Sequence, residues 1–291
     1  MYETIKKIRL DKGMSQKDAS KGYLSQSNYS KFENGIIDIP ITAFQGVLSN
    51  LHMTLEEVLY IQNDYTYSTA EQLFREFFTT PVHNLTSLNR LIDKCEVYLE
   101  KTNDAFIHLI CNVCHVLKEN ILQDDIYSAR TKAKFLLQHF NKRDTLYEKD
   151  IYLISSVFFL FPLETARLTI EYVENAIERY GEFNAVRKIY ANLYTNYGLM
   201  LMKEGFYKDA ISAFEKALPV IQKYKLTIQL GVVYTRIGIC ATNLNIPLYS
   251  DYINKGVQIL EITEEVEIAQ IMKEEIAKYL NVTRAPSLIS Q

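Results

Sequence analysis

Polar side chains that could contact DNA are concentrated in one stretch near the N-terminus, SQKDASKGYLSQSNYSKFENG, which spans residues 15–35. Ser15 and Ser25 each precede a short amphipathic segment, and a serine at such a position accepts a hydrogen bond from the first free NH groups of a helix. Gly22 lies between the two segments and favours a turn. The stretch therefore predicts two short helices around a tight turn, an arrangement that can enter a DNA major groove.

The second helix of this pair, from Ser25 to Glu33, is predicted to turn its polar side chains outward. Tyr29 and Phe32 are spaced i, i+3 and should face the protein core. Amide, hydroxyl and amine groups donate to and accept from base edges, whereas the first turn of the preceding helix can hold a phosphate. The residues predicted to contact DNA are Gln16, Lys17, Ser25, Gln26, Ser27, Asn28 and Lys31.

Residues 1–65 resemble the phage-repressor (XRE-type) helix-turn-helix domain. The residues that carry the resemblance are Arg9, Gly13, Ser15, Gln16, Ser25, Phe32, Glu33, Asn34 and Gly35. The resemblance implies a five-helix domain in which Arg9, on the first helix, forms an ion pair with Glu33. It also assigns a phosphate contact to Gln16 and base contacts to Gln26, Ser27 and Lys31.

The distribution of charge fits a local DNA-binding surface. The whole chain of 291 residues has a formal net charge of −3, yet residues 1–37 contain seven Lys or Arg and four Asp or Glu, a local charge of +3. The remainder therefore sums to −6. A chain of this length can form a second domain with its own core, and the acidic balance indicates that this domain has a different task.

Cysteine spacing gives one pattern typical of a cofactor site. Cys111, Cys114 and His115 match the CxxCH motif for covalent haem attachment. However, the two cysteines lie on the apolar stripe of an amphipathic helix, and this attachment takes place outside the cytosol. We therefore expect all four cysteines, at positions 95, 111, 114 and 240, to be reduced thiols in a reducing compartment. Core packing is the expected role of Cys111 and Cys114, with no metal and no other cofactor.

Missing sequence features bear on the cellular location of the protein and on whether it is an enzyme. It has no uninterrupted apolar run of about 18 residues, and its first residues, MYETIKKIRL, lack the apolar core of a signal peptide. These features predict a cytoplasmic protein without a membrane segment. No nucleophile–base pair, phosphate-binding loop or metal-ligand spacing favours an enzyme.

Helical periodicity dominates the predicted second domain, residues 66–291, so the predicted fold class is all-α. Residues 191–224 have the spacing of a tetratricopeptide repeat, and Tyr234 and Gly238 mark a weaker second copy. The matching positions are Tyr194, Gly198, Gly205, Tyr207, Ala210, Phe214 and Ala217. Further helices are predicted near 70–79, 86–100 and 264–280, and helix pairs near 104–140 and 147–180, with Ala129 and Ala166 as close-packing positions. Together these segments predict a right-handed solenoid of helical hairpins.

A solenoid has a concave face formed by the first helix of each hairpin, and such faces hold extended peptides. Asn and Arg there can bond a peptide backbone, and Arg also suits a carboxylate, while apolar neighbours form pockets for side chains. The residues predicted to bind a peptide are Tyr152, Asn192, Thr195, Asn196, Leu199, Met202, Arg236, Ile239 and Asn243.

A helix-turn-helix module followed by degenerate tetratricopeptide helices resembles the Rgg/MutR group of regulators, within the peptide-sensing class that includes PlcR and PrgX. The turn from Ser20 to Ser25, one residue shorter than the phage-repressor pattern, fits this group. The resemblance implies a cytoplasmic homodimer that binds promoter DNA and a short hydrophobic signalling peptide, as in quorum sensing. The alternative is an XRE-type repressor whose helical domain binds a protein partner or only dimerises, with no peptide ligand.

Overall fold

The computed structural model describes residues 1–80, 84–123, 139–140, 145–181, 183–249 and 251–281. The elements in these ranges are α-helices and short 3-10 helices without a β-strand, which confirms the all-α prediction. Contacts divide the chain into two compact units, Met1–Thr79 with Lys94–Ile107, and Thr80–Asp93 with His108–Gln291. The boundary predicted at residue 65 falls inside the first unit, so the assignment of domains 1–65 and 66–291 stays a prediction from the sequence.

Five helices form the N-terminal part of the first unit. They are α1 (Tyr2–Asp11), α2 (Gln16–Ser20), α3 (Gln26–Glu33), α4 (Ile41–Asn50) and α5 (Leu55–Gln62), and α6 (Thr69–Thr79) follows them. Ser15 and Ser25 cap α2 and α3, because each hydroxyl oxygen accepts a hydrogen bond from the backbone NH three residues later. Thr54 caps α5 in the same way.

One apolar cluster holds these helices together. Phe32 lies at its centre, and its ring is 5.3 Å from that of Tyr2, 6.1 Å from that of Tyr29 and 6.0 Å from that of Phe44. The fully buried aliphatic members are Ile5, Ala19, Val47, Leu51 and Val58. Because Tyr29 and Phe32 both point into this cluster, the opposite side of α3 is turned to solvent, as their i, i+3 spacing predicts.

The next two helices are α7 (Leu85–Leu99) and α8 (Ala105–Gln123). Within α8, the window Ala105–Leu122 is long and apolar enough to cross a membrane by length and composition, and 44% of it is buried inside the protein. A largely buried core helix passes the same test, and Cys111 and Cys114 are among its buried residues. The predicted partner of α8, with the close-packing position Ala129, lies outside the described residues.

Seven further helices succeed one another among the described residues of the second unit from residue 145 onward. They are α9 (Glu148–Val157), α10 (Leu163–Arg179), α11 (Asn184–Lys203), α12 (Tyr207–Lys223), α13 (Thr227–Asn243), α14 (Tyr252–Ile262) and α15 (Val266–Asn281). Each helix contacts the next, and α9, α11, α13 and α15 also contact one another in turn. This is the neighbour pattern of stacked helical hairpins, in which every second helix forms a continuous inner layer.

Small residues allow these helices to approach closely. A Cβ atom added to Gly198 would lie 2.4 Å from the ring of Phe214, and one added to Gly238 would lie 2.6 Å from the side chain of Ile253. Ala166, on α10, is fully buried. The close-packing role that the repeat pattern predicts for these positions therefore follows from the lack of room for a larger side chain.

We expect Gly198→Ala to destabilise the repeat unit by about 1–3 kcal/mol, because the new methyl group would displace the ring of Phe214. Alanine is otherwise the better helix former by about 1 kcal/mol, so a loss of stability identifies the packing conflict. Urea unfolding of the full chain measures the change. The double variant with Phe214→Leu should be less than additive, and an unchanged or higher unfolding midpoint for Gly198→Ala would contradict the close approach.

Candidate functional sites

The polar face of α3 carries the residues predicted to contact DNA. Gln26, Ser27, Asn28 and Lys31 are exposed, and Lys17 on α2 is exposed as well. Ser25 is also exposed, but its hydroxyl oxygen accepts a hydrogen bond from the NH of Asn28 at 3.2 Å and so serves as the helix cap. The structure therefore gives α3 a continuous polar surface of amides, hydroxyls and one ammonium.

The two glutamines of the predicted interface are bonded to each other. The amide nitrogen of Gln26 donates to the amide oxygen of Gln16 at 3.1 Å, and the amide nitrogen of Gln16 donates to Glu33 at 2.9 Å. Gln16 is half-buried, whereas Gln26 is exposed. This chain of hydrogen bonds restrains the side chain of Gln26 relative to Gln16 and Glu33.

A buried ion pair links α1 to the end of α3. Arg9 donates from Nε to Glu33 Oε1 at 2.6 Å and from Nη2 to Glu33 Oε2 at 2.9 Å, and its Nη1 donates to the carbonyl of Met14 at 2.8 Å. The Arg9 and Glu33 side chains are 8% and 0% exposed. Paired carboxylate and guanidinium groups in this two-bond geometry are among the stronger hydrogen-bonded interactions in proteins.

Burial and hydrogen bonding act in opposite directions on Glu33. Burial alone would raise the pKa of this carboxyl group, but hydrogen bonds from Arg9 and Gln16 outweigh it and hold the pKa below its ordinary value. Burial, together with the neighbouring Glu33 charge, raises the pKa of Tyr29, so the phenol stays neutral. Arg9 and Glu33 are therefore both fully ionised near neutral pH.

Two contacts that the sequence analysis did not identify hold the turn between α2 and α3. The side-chain amide of Asn50 donates to the carbonyls of Ala19 and Lys21, at 3.1 and 2.9 Å. The ring of Tyr23 packs so closely on Gly46 that an added Cβ would lie 2.1 Å from it. A glycine inside an apolar helix signals a close approach, and this signal was available in the sequence.

The residues predicted to bind a peptide differ in their accessibility. Asn192 is exposed, whereas Tyr152, Asn196, Leu199 and Asn243 are half-buried. Thr195, Met202, Arg236 and Ile239 are buried, with Met202 and Ile239 completely so. Met202 and Ile239 therefore pack in the interior of this structure, contrary to the expectation that they line an open groove. Their apolar character is explained by core packing alone.

The guanidinium group of Arg236 already binds a carboxylate of this chain. Its Nη2 donates to Glu275 Oε1 at 2.8 Å and its Nε donates to Glu275 Oε2 at 3.0 Å, with the two side chains 9% and 17% exposed. Burial and the positive charge of Arg236 lower the pKa of Lys203, while Glu275 acts in the opposite direction. The charge of Lys278 also lowers the pKa of Lys203.

All four cysteines are buried thiols. Burial raises the pKa of Cys240 to about 12, so it remains protonated and unreactive at neutral pH. Cys111 and Cys114, the pair of the CxxCH pattern, are 6% and 0% exposed on α8.

Comparison with known proteins gives a family for the N-terminal residues and a fold for the chain. A family model described as helix-turn-helix matches residues 5–58. No curated protein matches the sequence. A solved structure from Listeria monocytogenes EGD-e, assigned as a transcriptional regulator, has a TM-score of 0.77 and 18% identity and covers 98% of each chain.

Two further structures are similar over almost the whole chain. Bacillus thuringiensis PlcR, in complex with the peptide PapR7 and DNA, has a TM-score of 0.70 and 17% identity, and the match covers 94% of this chain and 98% of PlcR. The pheromone receptor Rgg2 of Streptococcus dysgalactiae has a TM-score of 0.72 and 15% identity, with coverage of 96% and 100%. At these identities the likeness concerns the fold.

We expect either Arg9→Ala or Glu33→Ala to destabilise the N-terminal helices by about 2–4 kcal/mol, because each strands a buried charge. The double variant should be less than additive when unfolding of the full chain is followed by urea titration. Lys255→Ala, which breaks the exposed pair with Asp251, is the control and should change stability by less than about 1 kcal/mol. Strict additivity of the Arg9 and Glu33 variants would contradict direct coupling.

The same pair predicts a dependence of stability on acid. Because the pKa of Glu33 in the folded protein lies below its ordinary value of 4.5, the unfolded chain takes up the proton first. The stabilisation from Glu33 is therefore complete above pH 4.5 and is lost as the pH falls through the folded-state pKa. Glu33→Gln should flatten this part of the stability profile, and an unchanged slope would contradict it.

Proposed function

We propose that this protein is a sequence-specific DNA-binding transcriptional regulator. The observation that carries the proposal is the solvent-exposed polar face of α3, held by a buried ion pair within a helix-turn-helix. The excess positive charge of residues 1–37 supplies the attraction to phosphate that such a module needs. In this proposal Gln26, Ser27 and Lys31 contact bases, while Gln16 and Lys17 contact the backbone.

Regulation by a short apolar peptide is the second part of the proposal. Two proteins share the fold: PlcR, whose crystal structure contains a peptide and DNA, and Rgg2, which is a pheromone receptor. In this chain Asn192, Asn196 and Leu199 share one side of α11, since their side chains lie within about 60° of one another on the helix. All three are accessible in part or fully, and the side-chain amides of the two asparagines can bond a peptide backbone.

A homodimer in the cytoplasm completes the proposal. Helix-turn-helix proteins commonly read two half-sites about 34 Å apart, which requires two copies of the module. The acidic remainder of the chain has no electrostatic attraction to DNA and is free to supply the contact between copies. Light scattering of the full chain, with and without a two-half-site duplex, measures the stoichiometry.

The alternative is a repressor whose helical domain binds a protein partner or only a second copy of itself. Burial of Met202 and Ile239 and occupation of Arg236 by Glu275 favour it, because they remove three of the predicted peptide contacts in this conformation. Calorimetric titration with apolar heptapeptides distinguishes the two functions. Saturable binding with one site per chain supports the peptide sensor.

For DNA, we expect Gln26→Ala to cost about 1–3 kcal/mol at the preferred operator and to relax preference at one base pair. Gln16→Ala should weaken binding to all sequences alike, since a phosphate contact carries no base identity. Fluorescence anisotropy against an operator and its single-base variants measures both effects, with the exposed Gln62→Ala as control. The base assignment fails if Gln26→Ala leaves affinity and preference unchanged.

A change of base preference in Gln16→Ala would have a different explanation. Gln16 accepts a hydrogen bond from Gln26, so its removal also frees the Gln26 side chain. An altered base preference for Gln16→Ala would therefore assign Gln16 to positioning Gln26 and would contradict its role as a phosphate contact.

Because Glu275 already binds the guanidinium group of Arg236, we expect two substitutions to have opposite effects on peptide affinity. Glu275→Gln removes the internal competitor and should tighten binding of a peptide with a free C-terminal carboxylate, while Arg236→Ala should weaken it by about 2–5 kcal/mol. The probe is an apolar heptapeptide selected by thermal shift, and its C-terminally amidated form is the control. Equal affinity of the amidated and free peptides in the wild-type chain would contradict a carboxylate contact at Arg236.

A further inference from the structure

A cleft lies on the side of the repeat unit that the proposed peptide site does not use. It is formed by α10, α11 and α12 and has a volume of about 520 Å³, within the range of small-molecule sites. From α11 it is lined by Tyr194, Tyr197 and Leu201. At about 100° per residue these side chains point roughly 160° away from Asn192, Asn196 and Leu199, so the two surfaces occupy opposite faces of one helix.

One end of the cleft already holds an ammonium group. Lys216 donates from Nζ to the hydroxyl of Tyr194 at 2.9 Å, lies 3.5 Å from a carboxylate oxygen of Glu174, and is 4.7 Å from the centre of the Tyr194 ring. Tyr190 and Tyr194 each donate a hydrogen bond to Glu174, at 2.9 and 2.7 Å. The negative charge and aromatic faces of this wall are therefore suited to a cation. Glu174 itself already interacts with two tyrosine hydroxyls and with Lys216.

Two other carboxylates of the cleft lack such partners within the described part of the chain. Glu171 and Asp209 form no ion pair or hydrogen bond among the described residues, and neither does the hydroxyl of Tyr197. Burial raises the pKa of Tyr197, the charge of Arg167 lowers it, and the charges of Asp209, Glu164 and Glu171 raise it further. Free carboxylates beside an aromatic ring form a second position for a positive charge.

The charges lining the cleft leave an excess of two negative charges. Four carboxylates, of Glu164, Glu171, Glu174 and Asp209, face two cations, Arg167 and Lys216. Arg167 is 3.4 Å from Glu164 and Lys216 is 3.5 Å from Glu174, so each cation has a partner and the excess falls on Glu171 and Asp209. An anionic ligand would be repelled, and a neutral one would leave the excess charge uncompensated.

We propose that this cleft binds a small organic cation, with an amino or guanidino group on an apolar or aromatic body. The cationic group pairs with Glu171 and Asp209, and the body packs against apolar side chains of the walls, among them Leu163, Leu201 and Phe206. The cleft is separate from the proposed peptide face, since Asn192, Asn196 and Leu199 are not among its lining residues. It gives the protein a second, chemically different ligand.

Tyramine is a suitable probe, because it combines an ammonium with an aromatic ring, and tyrosol is its neutral counterpart with a hydroxyl in place of the amine. Isothermal titration of the full chain should show one saturable tyramine site, with affinity at least about tenfold higher than for tyrosol and falling as salt is raised. Absence of saturable tyramine binding, or equal affinity for tyrosol, would overturn the proposal.

Substitutions locate the site. The double variant Glu171→Gln with Asp209→Asn should weaken tyramine at least about tenfold, and Glu204→Gln, an exposed glutamate outside the cleft, should leave it unchanged. Both acidic side chains are at the surface, so thermal unfolding midpoints should match the wild type and show that the variants are folded. Undiminished binding by the folded double variant would place the cation elsewhere and overturn the assignment.

Discussion

The buried pair of Arg9 and Glu33 is the interaction on which the helix-turn-helix part of this protein depends. It joins the first helix to the end of α3, and through Gln16 it extends to Gln26 on the exposed face. Removing either charge leaves the other buried without a partner, which is far more costly than loss of a surface ion pair. The orientation of the polar face is therefore set by an electrostatic contact in the interior.

The repeat unit is organised by a different constraint, the close approach of helices at small residues. Gly198 and Gly238 leave room only for the neighbouring ring or aliphatic side chain, so the separation of successive helices is fixed by packing. This scaffold also carries ion pairs, a largely buried one between Arg236 and Glu275 and a more exposed one between Lys216 and Glu174. The polar pairs of this unit are accordingly held on an apolar frame of closely packed helices.

Local signals in the sequence predicted most of the fold. Ser15, Ser25 and Gly198 act within a few residues or within one repeat pattern, and the helices predicted at 70–79, 86–100 and 264–280 occur at Thr69–Thr79, Leu85–Leu99 and Val266–Asn281. The exposure of the residues predicted to bind a peptide could not be predicted in the same way. Arg236 is buried because Glu275, 39 residues later, reaches it, and no local pattern encodes that pairing.

Helix α11 is a shared wall, and this has a thermodynamic consequence for the two proposed ligands. Asn192, Asn196 and Leu199 face one side of the helix, and Tyr194 and Tyr197 face the cleft on the other. A shift of α11 that one ligand favours changes the affinity for the second ligand, and linkage requires the effect to be equal in both directions. If a ligand on one face of α11 shifts the helix, an organic cation in the cleft and a peptide on the opposite face are coupled through it, without any contact between them.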